Sequence, residues 1–420
     1  MTRRNRIGRA IVTSVLNHLH GGTIELFDPI GHLHFSERDR LQTSTPIDVR
    51  IDVRDPRVYE RVLREGSVGL GESYADGWWD TDDLPGVLRL ALRSLQTISE
   101  RRDALHRLTT TLFDPIARLR RADPDRDARN VRAHYDLGND FFQHLLDETM
   151  AYSCAIFDAP GISLAEASRA KFDRLARALH LSPGDRLLEI GTGWGGFALH
   201  AAERYGCLVT TTTISRAQYE FTTERVRAAG LQHQISVLDR DYRDLRGTFD
   251  KAVAIEMIEA VDWRDYDTFF ASLHRLLSNE GALAMQAIVV PDQSFDRLKR
   301  HTDFIKAVIF PGGCLPSIGA LTAAADRNGL TRRNVDHIGG HYGETLRRWR
   351  TNLDAIKAEL PALSLDGRFG RLWDFYLAYC EAGFDERYID ATQLLYTAPG
   401  FPDRHDTAAH ARTQFDSIAV

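Results

Sequence analysis

The stretch LLEIGTGWGG, residues 187–196, decides the fold. An apolar run leads there to a glutamate and then to four glycines, and the following FALHAAERYG has the periodicity of a helix. A strand that ends in a glycine turn and continues as a helix lets a cofactor lie against bare backbone at the helix N-terminus. Glycine suits the turn because a Cβ blocks close approach. The segment predicts a cofactor site in an α/β sheet.

The next predicted strand separates two kinds of cofactor. It reads CLVTTTTIS (207–215) and ends in Thr and Ser, without the Asp or Glu that binds the ribose of NAD. Glu189, just ahead of the glycines, instead suits the S-adenosylmethionine-binding version of the fold. We therefore expect S-adenosylmethionine; a glycine turn in some other α/β domain is the alternative.

Length and composition limit the classes of protein to which the chain can belong. A chain of 420 residues exceeds the usual size of one domain, and its net charge of −6 gives no drive toward nucleic acid. The four cysteines have no metal-like spacing, the apolar runs are too short to cross a bilayer, and the N-terminus lacks the pattern of a signal peptide. A cytoplasmic protein with no bound metal and no nucleic-acid partner is expected.

Hydrophobic patterning divides the chain into three regions. Residues 1–100 mix amphipathic segments with alternating strand candidates, which predicts a small α+β domain. Residues 101–133 are Arg-rich and broken by prolines, which suits a helical linker. From 134 to 420, strand candidates alternate with helices up to about residue 295, and the rest looks mostly helical. We predict an α/β class I methyltransferase fold: a Rossmann-like doubly wound parallel sheet, with a smaller N-terminal α+β domain.

Eight segments carry a family resemblance, in family order over nearly the whole chain. They are GLGESYADGWWD (69–80), HYDLGNDFFQHLLDETMAYSCAIF (134–157), LLEIGTGWGG (187–196), TISRAQ (213–218), DRDYRDL (239–245), EMIEAV (256–261), IFPGGCLPS (309–317) and HYGETLRRW (341–349). The chain resembles the cyclopropane fatty acid synthase family, including relatives that act on mycolic acids and that make methyl-branched lipids.

The resemblance implies a lipid-modifying transferase. Such an enzyme moves the methyl carbon of S-adenosylmethionine onto the cis double bond of an acyl chain in a membrane phospholipid. In ring-forming members that carbon becomes a cyclopropane methylene. The resemblance also implies a lipid-associated domain over 1–100 and a helical cover for the acyl chain within 134–420.

The chemistry itself limits what the site must contain. An alkene is a poor nucleophile, so the site must align its π bond with the sulfonium methyl group and exclude water. Methyl transfer leaves a positive charge on an acyl carbon, which carbonyl oxygens, tyrosine faces and carboxylates stabilise in a dry pocket. A base must then take a proton, from the new methyl group to close a ring or from a neighbouring carbon to leave an alkene.

By resemblance, this base is a bicarbonate ion in a small anion pocket. The resemblance places Cys154 beside the ion, not as a nucleophile, and makes Ile288 a main-chain contact. Glu259 follows a predicted strand at the edge of the sheet where such folds bind ligands, and Tyr342 supplies a hydroxyl donor. On sequence alone, Glu259 also suits a charge at a helix start, and Tyr342 a buried structural tyrosine.

Gln286 departs from the family pattern, which has His two residues before Ile288. Gln can donate or accept a hydrogen bond but does not titrate near neutral pH. Two outcomes stay open. The pocket holds bicarbonate with a different proton affinity, or the base takes a proton elsewhere and gives a methylene-branched chain that a partner reductase converts to a methyl branch. We favour the cyclopropane.

The cofactor residues are assigned by their place in the same motifs. Tyr135, Tyr152 and Ser153 close over the cofactor; Glu189, Gly191, Gly193 and Gly195 line its methionine and ribose side; Thr213, Ser215 and Gln218 replace an acidic ribose ligand; Asp241 and Tyr242 flank adenine.

Two basic clusters suit an anionic membrane surface. They are Arg3, Arg4, Arg6 and Arg9, ahead of an amphipathic segment, and Arg118, Arg120 and Arg121, beside Phe113 and Ile116. Each basic group contributes on the order of 1 kcal/mol near such a surface, and a solvated basic face is the alternative for either cluster. We expect peripheral association with the inner face of the membrane; a homodimer is expected from the family resemblance alone.

Two other classes of function fit the sequence less well. A methyltransferase for small molecules needs a polar acceptor pocket, and nothing in the sequence points to one. A catalytically silent lipid-binding relative is expected to lose Glu259 or the glycine turn, and the chain keeps both.

Overall fold

The computed structural model describes residues 3–36, 46–102 and 138–402. Tyr135, the second basic cluster with its apolar neighbours, and nearly all of the linker predicted over 101–133 lie outside these ranges. The boundaries of the three predicted regions, 1–100, 101–133 and 134–420, stay predictions.

Residues 3–36 and 46–102 build a four-stranded sheet with helices. The elements are α1 (Arg3–Leu16), β1 (Gly22–Asp28), β2 (Gly31–Ser36), β3 (Ile47–Val53), α2 (Arg57–Glu65), α3 (Ser67–Ala75), β4 (Trp79–Thr81) and α4 (Leu84–Arg102). The strand order is β2-β1-β3-β4, with β1 antiparallel to β2 and parallel to β3. In β3, every second residue is buried, because one face of a strand meets the core. The predicted α+β character is confirmed.

A second sheet of seven strands carries the glycine turn. Its strands are β5 (Arg186–Ile190), β6 (Leu208–Thr213), β7 (Ile235–Asp239), β8 (Phe249–Ile255), β9 (Leu277–Val289), β10 (Thr331–His337) and β11 (Asp390–Thr397). The order is β10-β11-β9-β8-β5-β6-β7, and β11 runs antiparallel to both of its neighbours while β9, β8, β5, β6 and β7 are parallel. The predicted α/β sheet is confirmed.

The expectation of a mostly helical chain after residue 295 missed β10 and β11. Six of the eight residues of β11 are buried, so the strand lacks the alternation of one covered face. Strand β10 lies at the sheet edge and is largely exposed, with the polar sequence TRRNVDH. Neither strand therefore carries the periodic signal that marked the others.

Nine further α-helices flank and cover the second sheet in the described part of the chain. They are α5 (Asn139–Leu145), α6 (Leu164–Ala178), α7 (Gly196–Tyr205), α8 (Arg216–Ala228), α9 (Tyr266–Leu276), α10 (Asp292–Leu298), α11 (Ile318–Arg327), α12 (Tyr342–Ile356) and α13 (Gly367–Asp385). Several begin at side-chain caps: Ser163 and Glu166 form a capping box at α6, and Asp366 accepts from the Phe369 amide at α13.

Helix α13 joins the two sheets into one apolar cluster. It packs on α3, α4 and α12. The Tyr74 hydroxyl donates to Asp374 at 3.1 Å, and Arg89 and Arg93 donate to Glu386 at 2.7 and 2.8 Å. The C-terminal helices are thereby fixed as a cover beside the sheet.

Candidate active site

The glycine turn after β5 opens onto a cavity at the carboxyl ends of the parallel strands. Gly191, Gly193 and Gly195 have φ of 91°, 53° and 83°, in the left-handed region that favours glycine. A Cβ added at Gly193 meets nothing within 4 Å, whereas one at Gly195 lies 2.7 Å from Thr222 Cγ2. Gly193 therefore borders open space, and Gly195 serves the close packing of the turn.

Most of the residues predicted for the cofactor border this one cavity. They are Tyr152, Ser153, Glu189, Gly191, Gly193, Thr213, Gln218, Asp241 and Tyr242. Gly195 and Ser215 are not among the lining residues. Ser215 is the N-cap of α8, where its hydroxyl accepts from the Gln218 amide, so it acts on the helix rather than on the cavity.

Gln218 and Asp241, predicted to bind ribose and adenine, already bind other side chains of the protein. The Thr213 hydroxyl donates to Gln218 Oε1 at 2.9 Å, which fixes the orientation of the amide. Arg243 binds Asp241 through Nε at 2.8 Å and Nη2 at 2.6 Å. Burial raises the pKa of Asp241, but these hydrogen bonds outweigh it and lower the pKa overall, so Asp241 remains an ionised acceptor.

Glu189 lies on β5 directly below the glycine turn. Its side chain is buried, and the Thr211 hydroxyl donates to its Oε2 at 2.6 Å. Burial raises the pKa of Glu189 to about 8, and the single hydroxyl donor offsets this only in part. The carboxyl group is therefore mostly protonated at neutral pH until a cationic ligand enters.

The residues predicted for the anion pocket meet around a carboxylate of the chain itself. Glu256, just after β8, accepts from the Cys154 amide at 2.9 Å and from Gln286 Nε2 at 2.8 Å through Oε1. Its Oε2 accepts from the Tyr342 hydroxyl at 2.6 Å. Glu256 also borders the cofactor cavity. Sequence reasoning missed it, although it stands three residues before Glu259 in the motif EMIEAV.

Glu259 occupies a neighbouring but different position. Its Oε1 accepts from the Ile288 amide at 2.6 Å, so the predicted main-chain contact of Ile288 goes to this carboxyl group. Its Oε2 is buried and has no hydrogen-bond partner in the described residues. Burial, together with the negative charge of Glu256, raises the pKa of Glu259 to about 8. Glu259 is therefore mostly protonated at neutral pH.

These residues do not fit a bicarbonate ion. The donors that would hold it, on Cys154, Gln286 and Tyr342, are already used by Glu256. Gln286 cannot turn away, because its Oε1 accepts from Gln393 at 2.9 Å and its Nε2 also donates to the Cys154 carbonyl. The Cys154 thiol is buried, and burial raises its pKa well above the usual range, which agrees with its exclusion as a nucleophile.

A buried lysine behind the cluster was also missed. Lys171 on α6 is fully buried, and its ammonium group donates to the Ser153 hydroxyl. Burial lowers the pKa of Lys171, and the negative charge of Glu256 opposes that shift. Lys171 lies in none of the quoted motifs, so no sequence signal pointed to it. In the structure it places a positive charge behind Ser153 and close enough to Glu256 to act on it.

The comparisons with known proteins agree on one family. Residues 122–394 match the family model described as mycolic acid cyclopropane synthetase. The tuberculostearic acid methyltransferase UfaA1 of Mycobacterium tuberculosis is 38% identical over 359 residues, 83% of each chain. The cyclopropane-fatty-acyl-phospholipid synthase of Escherichia coli is 36% identical over 360 residues, 85% of this chain and 89% of that one.

The chain belongs to the cyclopropane synthase family. The solved structure of the mycolic acid cyclopropane synthase CmaA1, complexed with SAH and CTAB, matches with a TM-score of 0.60 and 34% identity, over 64% of this chain and 98% of that one. The protein is thus an S-adenosylmethionine-dependent methyltransferase with the class I methyltransferase fold, as predicted.

Two glycines of the turn make a matched pair for testing the cavity in this cyclopropane synthase family member. Gly193→Ala places a methyl group in open cavity space, so we expect at least about a tenfold loss of SAH affinity by calorimetry. Gly195→Ala drives a methyl group into Thr222, so we expect the larger fall in melting temperature. Both variants carry the same left-handed strain. Equal SAH affinity in Gly193→Ala and wild type would contradict the assignment.

Glu189 predicts a pH dependence of stability. Its folded pKa of about 8 exceeds the ordinary value of 4.5, so its stabilising contribution is complete below the ordinary pKa and is lost as the pH rises through about 8. We expect the unfolding free energy of the ligand-free protein, relative to Glu189→Gln, to fall by up to about 1.4 kcal/mol per pH unit across that window. Denaturant titrations of both proteins measure the difference. A difference that stays constant with pH would contradict the burial of a carboxyl group that has a single hydroxyl donor.

Proposed function

We propose that this protein transfers the methyl carbon of S-adenosylmethionine to the cis double bond of an unsaturated acyl chain of a membrane phospholipid and forms a cyclopropane. One observation carries the proposal beyond family membership: the cavity at the glycine turn also borders Glu256. A methyl donor seated against Gly193 would therefore share one space with a carboxylate able to stabilise a cation and accept a proton.

Aromatic side chains around this space support a cationic intermediate. Tyr152 borders the cavity, its hydroxyl shares a hydrogen bond of 2.8 Å with the Tyr376 hydroxyl, and its ring lies 5.1 Å from that of Trp349. The Tyr342 ring stacks on Phe384 at 4.2 Å. Ring faces attract positive charge, most strongly where water is excluded. Tyr152, which borders the cavity, would stabilise the acyl cation left by methyl transfer, and the other rings pack around it and Glu256.

A second product is favoured by one relative. UfaA1, 38% identical, is named for tuberculostearic acid, a methyl-branched fatty acid. If the proton leaves a chain carbon rather than the new methyl group, the product is a methylene-branched chain, which a partner reductase would reduce to the methyl branch. Gln286 does not titrate and so fits either product.

Helix α1 supports a peripheral position on an anionic membrane, which we propose to be the inner face. Ile7, Ile11 and Val15 form an exposed apolar stripe at helical spacing. Arg3, Arg4 and Arg6 are exposed near its start. No helix in the described ranges is long and apolar enough to cross a bilayer.

Arg9 does not fit the predicted membrane cluster. It forms an ion pair with Asp28, whose carboxylate also accepts from the Tyr59 hydroxyl at 2.6 Å. The Asp28 side chain is almost entirely buried, so Arg9 is held inside the N-terminal domain. Arg9 therefore stabilises the packing of α1 instead of binding lipid.

Labelled cofactor tests the proposed reaction. Incubation with methyl-labelled S-adenosylmethionine should label vesicles of unsaturated phospholipid and leave vesicles of saturated phospholipid unlabelled, because only the alkene supplies electrons. Ozone treatment then separates the labelled products, since it cleaves the carbon–carbon double bond of a methylene-branched chain but not a cyclopropane. An ozone-sensitive product supports the branched alternative. Absence of label from unsaturated lipid at saturating cofactor would refute both.

Membrane contact through α1 predicts a selective loss of binding. The double variant Ile7→Ser/Ile11→Ser should weaken sedimentation with anionic vesicles by at least about tenfold, because two side chains lose apolar burial in the interface. Leu208→Ser is the matched control, since Leu208 is equally exposed but lies at the start of β6. Equal binding of all three proteins would rule out the α1 stripe.

A further inference from the structure

Glu256 is a carboxylate of the site that is held by distant parts of the chain. Three groups from separate parts of the chain donate to it: the Cys154 amide, Gln286 Nε2 and the Tyr342 hydroxyl. Cys154, Gln286 and Tyr342 are themselves buried. Glu256 is only partly buried, and it is one of the residues that border the cofactor cavity. Three donors thus orient a carboxylate at the edge of that cavity.

The backbone of Glu256 is strained in order to reach this position. Its φ of 47° lies in the left-handed region, which costs a non-glycine residue on the order of 1 kcal/mol. The Glu256 amide donates to the Gln286 carbonyl at 2.8 Å, which locks the conformation to β9. Such strain persists only where the surrounding structure holds the backbone in place. Here the left-handed backbone turns the Glu256 side chain toward its three donors.

We propose that Glu256 is the proton acceptor of the reaction and takes the place of a free bicarbonate ion. The inference rests on the proposed function. After methyl transfer, a C–H bond of the cation breaks, and its electron pair forms the ring bond, or the double bond of the methylene product. The proton passes to a carboxylate oxygen of Glu256 and leaves for solvent through the cavity after product release.

The neighbouring titratable groups fit this role less well. The Cys154 thiol and the Tyr342 hydroxyl have pKa values raised by burial and so remain protonated donors. Glu259 is mostly protonated at neutral pH, with a pKa of about 8, and is not among the residues that border the cavity. Burial raises the pKa of Glu256 too, while Tyr342, Gln286 and the charge of Lys171 oppose the shift. The pKa of Glu256 therefore stays above its ordinary value, a direction that suits a general base, and Glu256 borders the cavity.

The first test removes the base and keeps its shape. Glu256→Gln should lower turnover by at least about 100-fold, the usual contribution of a general base, and leave SAH affinity within about threefold. Without the base, water should trap part of the cation as a methylated alcohol, with release of a proton, which mass spectrometry detects. Glu280→Gln, at an exposed carboxylate, is the control and should behave as wild type. Wild-type turnover in Glu256→Gln would overturn the inference.

The second test asks whether an external anion is used. Wild-type turnover should be equal in carbon dioxide-free buffer and in buffer with added bicarbonate. Glu256→Gly, which tolerates the left-handed backbone and empties the position, should be inactive in carbon dioxide-free buffer and regain activity with bicarbonate or formate. Stimulation of wild type by bicarbonate, or full activity of Glu256→Gly in carbon dioxide-free buffer, would overturn the inference.

The proposed function and the role of Glu256 can be refuted separately. Wild-type protein that transfers no label to unsaturated lipid refutes the proposed function. Wild-type protein that transfers label but depends on added bicarbonate refutes only the role of Glu256. The wild-type measurement also decides the question if a Glu256 variant does not fold, because it needs no substitution.

Discussion

Carboxyl groups held away from bulk water govern the chemistry available at this site. Such a group must be hydrogen-bonded or protonated, because an isolated buried negative charge is costly. Glu189 has one hydroxyl donor and Glu259 one amide donor, and burial raises the pKa of each to about 8. Glu256 has three donors and a buried ammonium group acting on it. The distribution of donors therefore favours the charged form of Glu256 more than those of Glu189 and Glu259.

The parallel sheet explains how these groups come together. The turn after β5, the end of β6 and the residues after β8 meet at one edge, because parallel strands place their carboxyl ends side by side. Gln286 on β9 pairs with Ile255 in register, next to Glu256. On its other side it pairs with Gln393 of β11, whose amide fixes the orientation of Gln286. Strand β11 thus holds Gln286 in place beside Glu256, although β11 contributes no residue to the cavity lining.

Much of this arrangement could be predicted from the sequence. The glycine turn and the alternation of strands and helices gave the sheet, since both are local signals. Cys154, Gln286 and Tyr342 meet as the family resemblance implied, although they are far apart in the chain. The missing strand β11 had no local signal, because it is buried on both faces and follows a long helix.

The choice between two acidic residues could not be made from the motif alone. EMIEAV offers Glu256 and Glu259 three residues apart, as on one turn of a helix. The left-handed conformation of Glu256 breaks that expectation and sends the two side chains to different partners. No sequence rule predicts such a conformation for glutamate, because it depends on the Gln286 carbonyl of another strand. Lys171 was missed, and Arg9 was assigned to the membrane cluster, for the same reason: their partners lie in other parts of the chain.

If Glu256 is the base, its fixed position also bears on which product forms. A free ion can shift within its pocket, whereas the Glu256 oxygens are held by the Cys154 amide, Gln286 and Tyr342. The proton removed must then be the one that the acyl chain presents to those oxygens. Ring closure requires the hydrogens of the new methyl group to face Glu256, and a methylene product requires those of the adjacent chain carbon. The product would then depend on how far the acyl chain slides past the fixed carboxylate. The apolar walls of the cavity limit that movement, so they would determine the product, and the proton affinity of the base would not.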